Sequence, residues 1–416
     1  MRNLILSLLV AVLLMPYANA QSIKVTGTAG STGAYLTEFD GDYFTVGRND
    51  GWAVVDLQGK TLMSGLKAPV SDVLRRVSLY HGVLFVDDGT GKIVLRRATG
   101  ELLGTEKYKA VLPFETDNAV VALPSAPGTW TVGYVDTTGK MVVRYDSKKY
   151  VSIVQPPKGS PVYGPTTLSQ FSPFSGGFIT ISSPVTGKCG YLNKALELAI
   201  PFDFKEVRPF SNGFAAVKNV DGNWGYINTS GKLVIPYLYS LAPGPFRSGL
   251  AKVQAKDGKF GFINANNSLV IQPKYRYATN FYRGYALARE SSVQPIVLID
   301  TAGTVVASFP KDLLYIDTKQ TVALSGTADE SPYYVPATLQ QLVDEGLGVF
   351  QKGGNYGLMD NKGQVALDFK YQYLGDLHKG RLFAHYYAYV NNGPFNQFGI
   401  IDVKGNWLVE IVPSQF

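Results

Sequence analysis

The sequence has almost no cysteine: Cys189 stands alone among 416 residues. No intrachain disulfide can form, so packing and hydrogen bonding must hold the chain together. Histidine is nearly as scarce. His81, His378 and His385 are the whole set, and none has H-x-x-x-H spacing or a paired cysteine, which excludes the common zinc patterns. The serines lack a G-x-S-x-G nucleophile elbow. Apolar residues after position 20 show no helical period, so no helix is expected outside the leader. Charge of one sign is also weak. Lys and Arg number 39 against 32 Asp and Glu, a formal +7 without clustering. That lacks the basic stripe a nucleic-acid partner needs, and suggests at most a mild attraction to acidic polysaccharide or membrane surfaces.

What is present begins with the ends. Arg2, an apolar run over 4–15 and Ala18-Asn19-Ala20 before Gln21 form a Sec signal peptide pattern. The run is too short for a comfortable membrane span, and no cysteine follows to carry a lipid. The expected layout is therefore a signal peptide over 1–20 and one repeat domain over 21–416. The expected location is the bacterial periplasm, the cell surface or the medium, with no integral membrane association. An uncleaved N-terminal anchor is the alternative.

The domain is a repeat. Phe210-Ser211-Asn212-Gly213 recurs 36 residues later as Phe246-Arg247-Ser248-Gly249, and Trp224-Gly225-Tyr226-Ile227-Asn228 as Phe260-Gly261-Phe262-Ile263-Asn264. The first anchor, an aromatic or Leu with a Gly three residues on in six of the nine units, starts at Phe39, Leu79, Phe114, Phe174, Phe210, Phe246, Phe281, Leu342 and Leu377. The second, an aromatic-Gly-x-Ile/Val-Asp/Asn step, follows each one, degenerate over 93–97. About nine units result, and a period of this size means a solenoid, propeller or array. Asp221-Gly222-Asn223 between two short β-branched and aromatic segments signals a hairpin, and Asn228-Thr229-Ser230-Gly231 a turn closed by Gly. Pro236 ends a third strand, where its missing N–H does least harm.

Trp224-Gly225-Tyr226-Ile227-Asn228, Gly231-Lys232-Leu233-Val234-Ile235-Pro236 and Pro245-Phe246-x-x-Gly249-Leu250-Ala251 resemble the bacterial WG (tryptophan-glycine, KWG-type) repeat family. The likeness extends over nearly the whole mature chain. It departs from the pattern at Ala53, which replaces the Gly, and at Cys189, Phe260, Ile296, Tyr356 and Phe398, which replace the Trp. The resemblance implies repeat architecture and binding or scaffolding roles, and transfers no catalytic residue.

The residues themselves have structural readings. The Gly admits a close neighbour, the Asp or Asn fixes a turn, and the aromatics fill the space between units. Asp87-Asp88-Gly89-Thr90-Gly91 and Asp257-Gly258 lack the alternating ligands of a calcium loop and read as hairpin turns. Cys189 reads as a small core residue, and His378, two positions after Asp376, as a solvated turn residue. No catalytic residue, metal or cofactor is expected. One insertion, 386–395, carries clustered aromatics and amides suited to sugar or peptide contacts. The candidate ligand-binding residues are Arg381, His385, Tyr386, Tyr387, Tyr389 and Asn391; packing of the Tyr rings on a neighbouring unit is the plainer alternative.

These features predict an all-β fold, a single β-propeller of 7–9 four-stranded blades closed by sharing a blade between the chain ends. An open β-solenoid of hairpin repeats is the alternative. The expected function is an exported, non-catalytic binding or scaffold module for a protein, peptide or cell-envelope glycan. The alternatives are a propeller enzyme acting on glycans through carboxylates and His at the central channel, and an outer-membrane β-barrel.

Overall fold

A computed structural model describes residues 23–27, 39–48, 51–68, 77, 79–112, 114, 118–124, 131–146, 174–183, 185–195, 197–315, 336–390 and 393–413. The expected signal peptide over 1–20 lies outside them. Each unit is built from its turns. Ser211 and Phe214 bridge across a two-residue loop in which Asn212 (φ 47°) and Gly213 (φ 84°) are both left-handed. That is the type I′ geometry that matches strand twist and favours Asn-Gly. The strand Phe214–Lys218 then pairs with Trp224–Asn228. Next, Asn228 Oδ1 accepts the N–H groups of Ser230 at 3.1 Å and Lys232 at 3.0 Å, turning the chain into Leu233–Tyr239. The same pair of bonds recurs at Asp56, Asp136, Asn193, Asn264, Asp300, Asp360 and Asp402. These acids and amides are turn formers, as their spacing predicts.

The third strand explains the repeat's glycine. Trp224 pairs with Tyr239 and Tyr226 with Ile235, so Gly225 faces a bulge of three residues. The same bulge stands opposite Gly190, Gly261 and Gly357. It drives a carbonyl inward: a Cβ on Gly225 would lie 2.6 Å from the Ile235 oxygen, and one on Gly190 2.5 Å from that of Ile200. Only glycine fits beneath. Where the bulge shrinks, the rule relaxes. Ala53 faces two residues instead of three, and Val297 lies in an unbroken register with Ser308.

The strands form nine sheets among the described residues: five of four strands, three of three and one of five. In chain order the blades cover 43–66, 79–108, 110–146, 178–204, 206–239, 251–275, 277–309, 313–371 and 373–413. In the sixth blade the short opening strand is reduced to one bond, Gly244 N–H to the Lys252 carbonyl at 2.8 Å. Nine apolar clusters fill the spaces between blades. Ala216, Trp224, Tyr226 and Ile235 of the fifth blade, for instance, meet Ala251, Val253 and Ile263 of the sixth. The ninth cluster closes the circle, packing Phe44, Val46, Ala53 and Val55 of the first blade on Phe383, Ile400, Val409 and Ile411 of the last. An open row of nine blades has only eight internal interfaces. The N-terminal strand Ile23–Gly27 completes the join, pairing parallel to Trp407–Pro413 from Ile23–Val409 to Gly27–Pro413.

The protein is thus a nine-bladed β-propeller. The closed set of interfaces overturns the solenoid alternative, and nine separate sheets overturn the single closed sheet of an outer-membrane barrel. One expectation of the strand-only reading fails. Ala337–Asp344 is a helix, burying Thr338, Leu339, Gln341 and Leu342 against the eighth blade. Its apolar face spans barely two turns, too short to register as a period. Among the described residues no helix is long and apolar enough to cross a membrane.

Trp224 is 2% exposed. Its ring is covered by Arg208 and Lys218, whose cationic groups lie 5.2 and 5.4 Å from its centroid. Trp224→Ala should cost about 3–5 kcal/mol, and Gly225→Ala about 1–3 kcal/mol by overpacking the bulge. Urea unfolding of both variants measures this. A Trp224→Ala midpoint equal to the parent's would show that the ring is not part of the core.

Candidate functional site

The sequence-expected site lies on the ninth blade. Arg381–Val390 and Gly393–Asp402 are ten-residue strands, the longest of the described elements. Their neighbours stop short: Tyr373 pairs with His385, and Ile411 with Phe398. Five further rungs, Tyr386–Gln397 to Val390–Gly393, pair only with each other in the register, so the insertion is a two-stranded arm extending from the blade. Strand alternation divides its side chains. Tyr386 points back into the cluster between the eighth and ninth blades, edge-on to Tyr371 at 6.0 Å. His385 is on the other face, stacked on Phe398 at 4.1 Å and 3.2 Å from Asn396 Oδ1. Tyr387 is 39% exposed, and its N–H donates to Gln372 Oε1. Tyr389 is placed by its backbone opposite Pro394; Asn391 lies outside the described residues. Arg381 is not a rim residue of this group. It starts the strand roughly 17 Å from Tyr386, and its Nη1 donates to the Gly41 carbonyl of the first blade at 3.4 Å.

Arg381 belongs instead to a collar at the opposite end of the ring, made by the first anchors. Their turns touch in series. Ser175 Oγ donates to the Phe210 carbonyl at 2.6 Å and Ser211 Oγ to that of Phe246 at 2.7 Å. Gly284 N–H donates to Ser248 Oγ at 2.9 Å. Arg283 is 3.2 Å from Asp344, which also accepts from the Tyr282 hydroxyl at 2.7 Å. Glu345 accepts the N–H groups of Lys379 and Gly380 at 2.9 and 2.8 Å. The Lys379 ammonium pairs with Asp42, and Asp40 Oδ2 accepts the Gly82 N–H at 2.6 Å. The links are hydroxyls around the fourth to sixth blades and charges across the closure.

A cleft of about 350 Å³ opens at this closure, lined by Asp40, Asp42 and Tyr43 of the first blade, His81, Gly82 and Arg97–Thr99 of the second, and Lys379 of the ninth. Arg97 is held by Glu101 at 2.9 Å. His81 (φ 47°) and Lys379 (φ 51°) occupy the left-handed turn position that Asn212 fills elsewhere. Below the cleft, His378 meets Phe39 edge-on at 6.1 Å. Burial holds its imidazole below the ordinary value of 6.5, against the opposing pull of Glu345 and Asp40. Along the sequence His81 and His378 are isolated. The readable signal is the charge at collar positions Asp40, Asp42, His81 and Lys379, where the fourth and fifth units place Ser, Asn or Gly. Among the described residues no group of three or more His, Cys, Asp or Glu side chains could hold a metal. Cys189 is half-buried, its sulfur 3.3 Å from Ser182 Oγ, and so is not the core residue expected: a short side chain cannot fill a site built for an aromatic.

Four stretches, 190–224, 224–260, 260–291 and 356–393, match the family described as WG containing repeat. No curated protein matches the chain in sequence. Similar solved structures include a eukaryotic initiation factor at 9% identity, with 90% of this chain and 95% of that chain covered and a TM-score of 0.47. The computationally designed Ika8 protein follows at 13% identity, 83% and 98% coverage and 0.34. BamB from Moraxella catarrhalis has 10% identity, 75% and 93% coverage and 0.32. At these scores the likenesses carry no functional argument.

The His378 environment makes stability depend on pH in one direction. With the folded value depressed, the unfolded chain takes up the proton first as pH falls through about 6.5. Stability is therefore full above that pH and declines below it, until the folded value is reached. Urea midpoints measured from pH 8 to 5.5 should show this decline, and His378→Gln should flatten it. Equal slopes in the two proteins would remove His378 as the cause.

Proposed function

Given a chain that carries WG repeats on a closed nine-bladed ring, we propose that it is an exported, non-catalytic binding or scaffold module that recognises a protein, peptide or cell-envelope glycan. The observation that carries this reading is the arm of the ninth blade, whose five outer rungs extend past the neighbouring strands and present Tyr387 to solvent. Function in a repeat protein tends to sit where a unit departs from its pattern, and this is the departure richest in aromatics. Recognition is assigned to Tyr387, Tyr389 and Asn391 with His385 beside them, and Tyr386 supports the arm from beneath.

The enzymatic alternative draws less support. Carboxylates and imidazoles from different blades do gather at the collar, but Glu345 and Asp40 are committed to its turns. Both oxygens of Glu345 accept backbone N–H groups, and so do both oxygens of Asp40. A general acid or base has to reach its substrate's proton. The apolar run at the start of the sequence supports export, and N-terminal sequencing of the protein recovered from periplasm should begin at Gln21.

Tyr387→Ala/Tyr389→Ala is the test of the arm. Tyr386 stays intact, because removing it would open the packed cluster. Aromatic anchors contribute about 2 kcal/mol or more, so the double variant should fold like the parent and bind its envelope partner about thirtyfold more weakly. Quantitative capture from a periplasmic extract checks this, and retention of every parental partner at parental strength would move the site elsewhere.

A further inference from the structure

We infer that the cleft at the ring closure is a second recognition site, one that takes a neutral sugar residue. It lies at the collar end of the molecule, whereas the arm extends from the opposite end of strand Arg381–Val390, roughly 30 Å away. The inference therefore does not depend on the arm.

Three features of the cleft select the ligand class. The first is charge balance. Asp40 and Asp42 share its lining with Lys379 and Arg97, so an anion or a cation entering would be repelled by one pair as it is attracted by the other. Neither cation is available as an anion trap, since Lys379 pairs with Asp42 and Arg97 with Glu101. The second is the ordering of these groups by their own ion pairs and turns. Each carboxylate keeps acceptor capacity beyond its present bonds, and the guanidinium keeps donors beyond its Glu101 contact. Such side-by-side donors and acceptors suit vicinal hydroxyls, each of which can donate to a carboxylate while accepting from a cation. His81 and Thr99, both exposed, extend the polar rim. The third is the wall: Tyr43 lies against the Gly82 turn, its Cε2 3.8 Å from where a Cβ on Gly82 would sit. A ring there offers apolar surface to the C–H face of a pyranose. The volume of about 350 Å³ is at the small end of ligand pockets, in keeping with one sugar residue or the end of a glycan chain.

The position of the cleft supports the same reading. The collar links of the fourth to sixth blades run through Ser175, Ser211 and Ser248. The closure instead carries acids, bases and an imidazole in its turns, with a cavity between them.

The mature protein should be titrated with glucose, galactose, mannose and N-acetylglucosamine by saturation-transfer NMR and calorimetry. Triglycine serves as the zwitterionic control and inorganic phosphate as the anionic one. At least one sugar should bind saturably in the millimolar range, and neither control should compete. Asp42→Asn and Arg97→Met should each weaken that sugar at least tenfold, while Tyr387→Ala/Tyr389→Ala should bind it as the parent does. Thr99→Val, which touches no ion pair, carries the test if Asp42→Asn melts early, and should weaken binding severalfold. No saturable binding of any of the four sugars overturns the proposal. Displacement by triglycine or phosphate, or folded variants that bind like the parent, overturns it too.

Discussion

A sheet of three or four short strands with apolar residues on both faces must be covered on both sides, and the ring follows from that requirement. Phe210 packs on Tyr191 and Phe178 of the fourth blade while Phe246 packs on Tyr226 and Phe214 of the fifth. Each first-anchor aromatic is thus a wedge behind the preceding blade. The Tyr of the second anchor then reaches past the wedge: the Tyr191 hydroxyl donates to the Arg208 carbonyl at 2.7 Å and that of Tyr226 to the Gly244 carbonyl at 2.6 Å. Burial supplies the attraction between blades, and these directional bonds set their spacing. Turns, bulges and glycines serve to deliver such two-faced sheets at a fixed interval.

Much of this was legible because it is local. The Asx turns at Asn228 and Asp360, the type I′ turn at Asn212-Gly213 and the burial of Trp224 follow from residue types within one unit. The reason for Gly225 was half legible: close approach could be inferred, but the three-residue bulge that causes it depends on the register with 235–239. Long-range placements were not legible. Nothing in the sequence sets Lys379 beside Asp42, and only closing the circle does. The arm was readable as an insertion, but not the division of its faces. Tyr386 points inward because the strand begun at Arg381 keeps its alternation, and Arg381 is carried to the far end by the same strand. The helix Ala337–Asp344 escaped because eight residues hold too little periodicity, although Pro336 at its start is a breaker of strands.

The collar has two chemistries, and the change between them follows position around the ring. Around the fourth to sixth blades serine hydroxyls join the turns, and these bonds hold at any pH. Across the closure Glu345, Lys379, Asp40 and Asp42 take over, with His378 half-buried among them. The regular blades are a frame, and the irregular closure is where titration, charge and a cavity coincide.

The strand Ile23–Gly27 has a consequence for how the ring comes into being. Its partner Trp407–Pro413 is almost the last segment of the chain, with 386 positions between Ile23 and Val409. Bringing ends so far apart together costs roughly 5 kcal/mol of loop entropy if nothing intervenes, but successive stacking of blades shortens the gap with each addition. The first strand is made first and seated last. As the chain is made, its backbone donors and acceptors would stay open until the ninth blade had formed, and for that interval the chain would be an incomplete arc with an exposed blade face at either end.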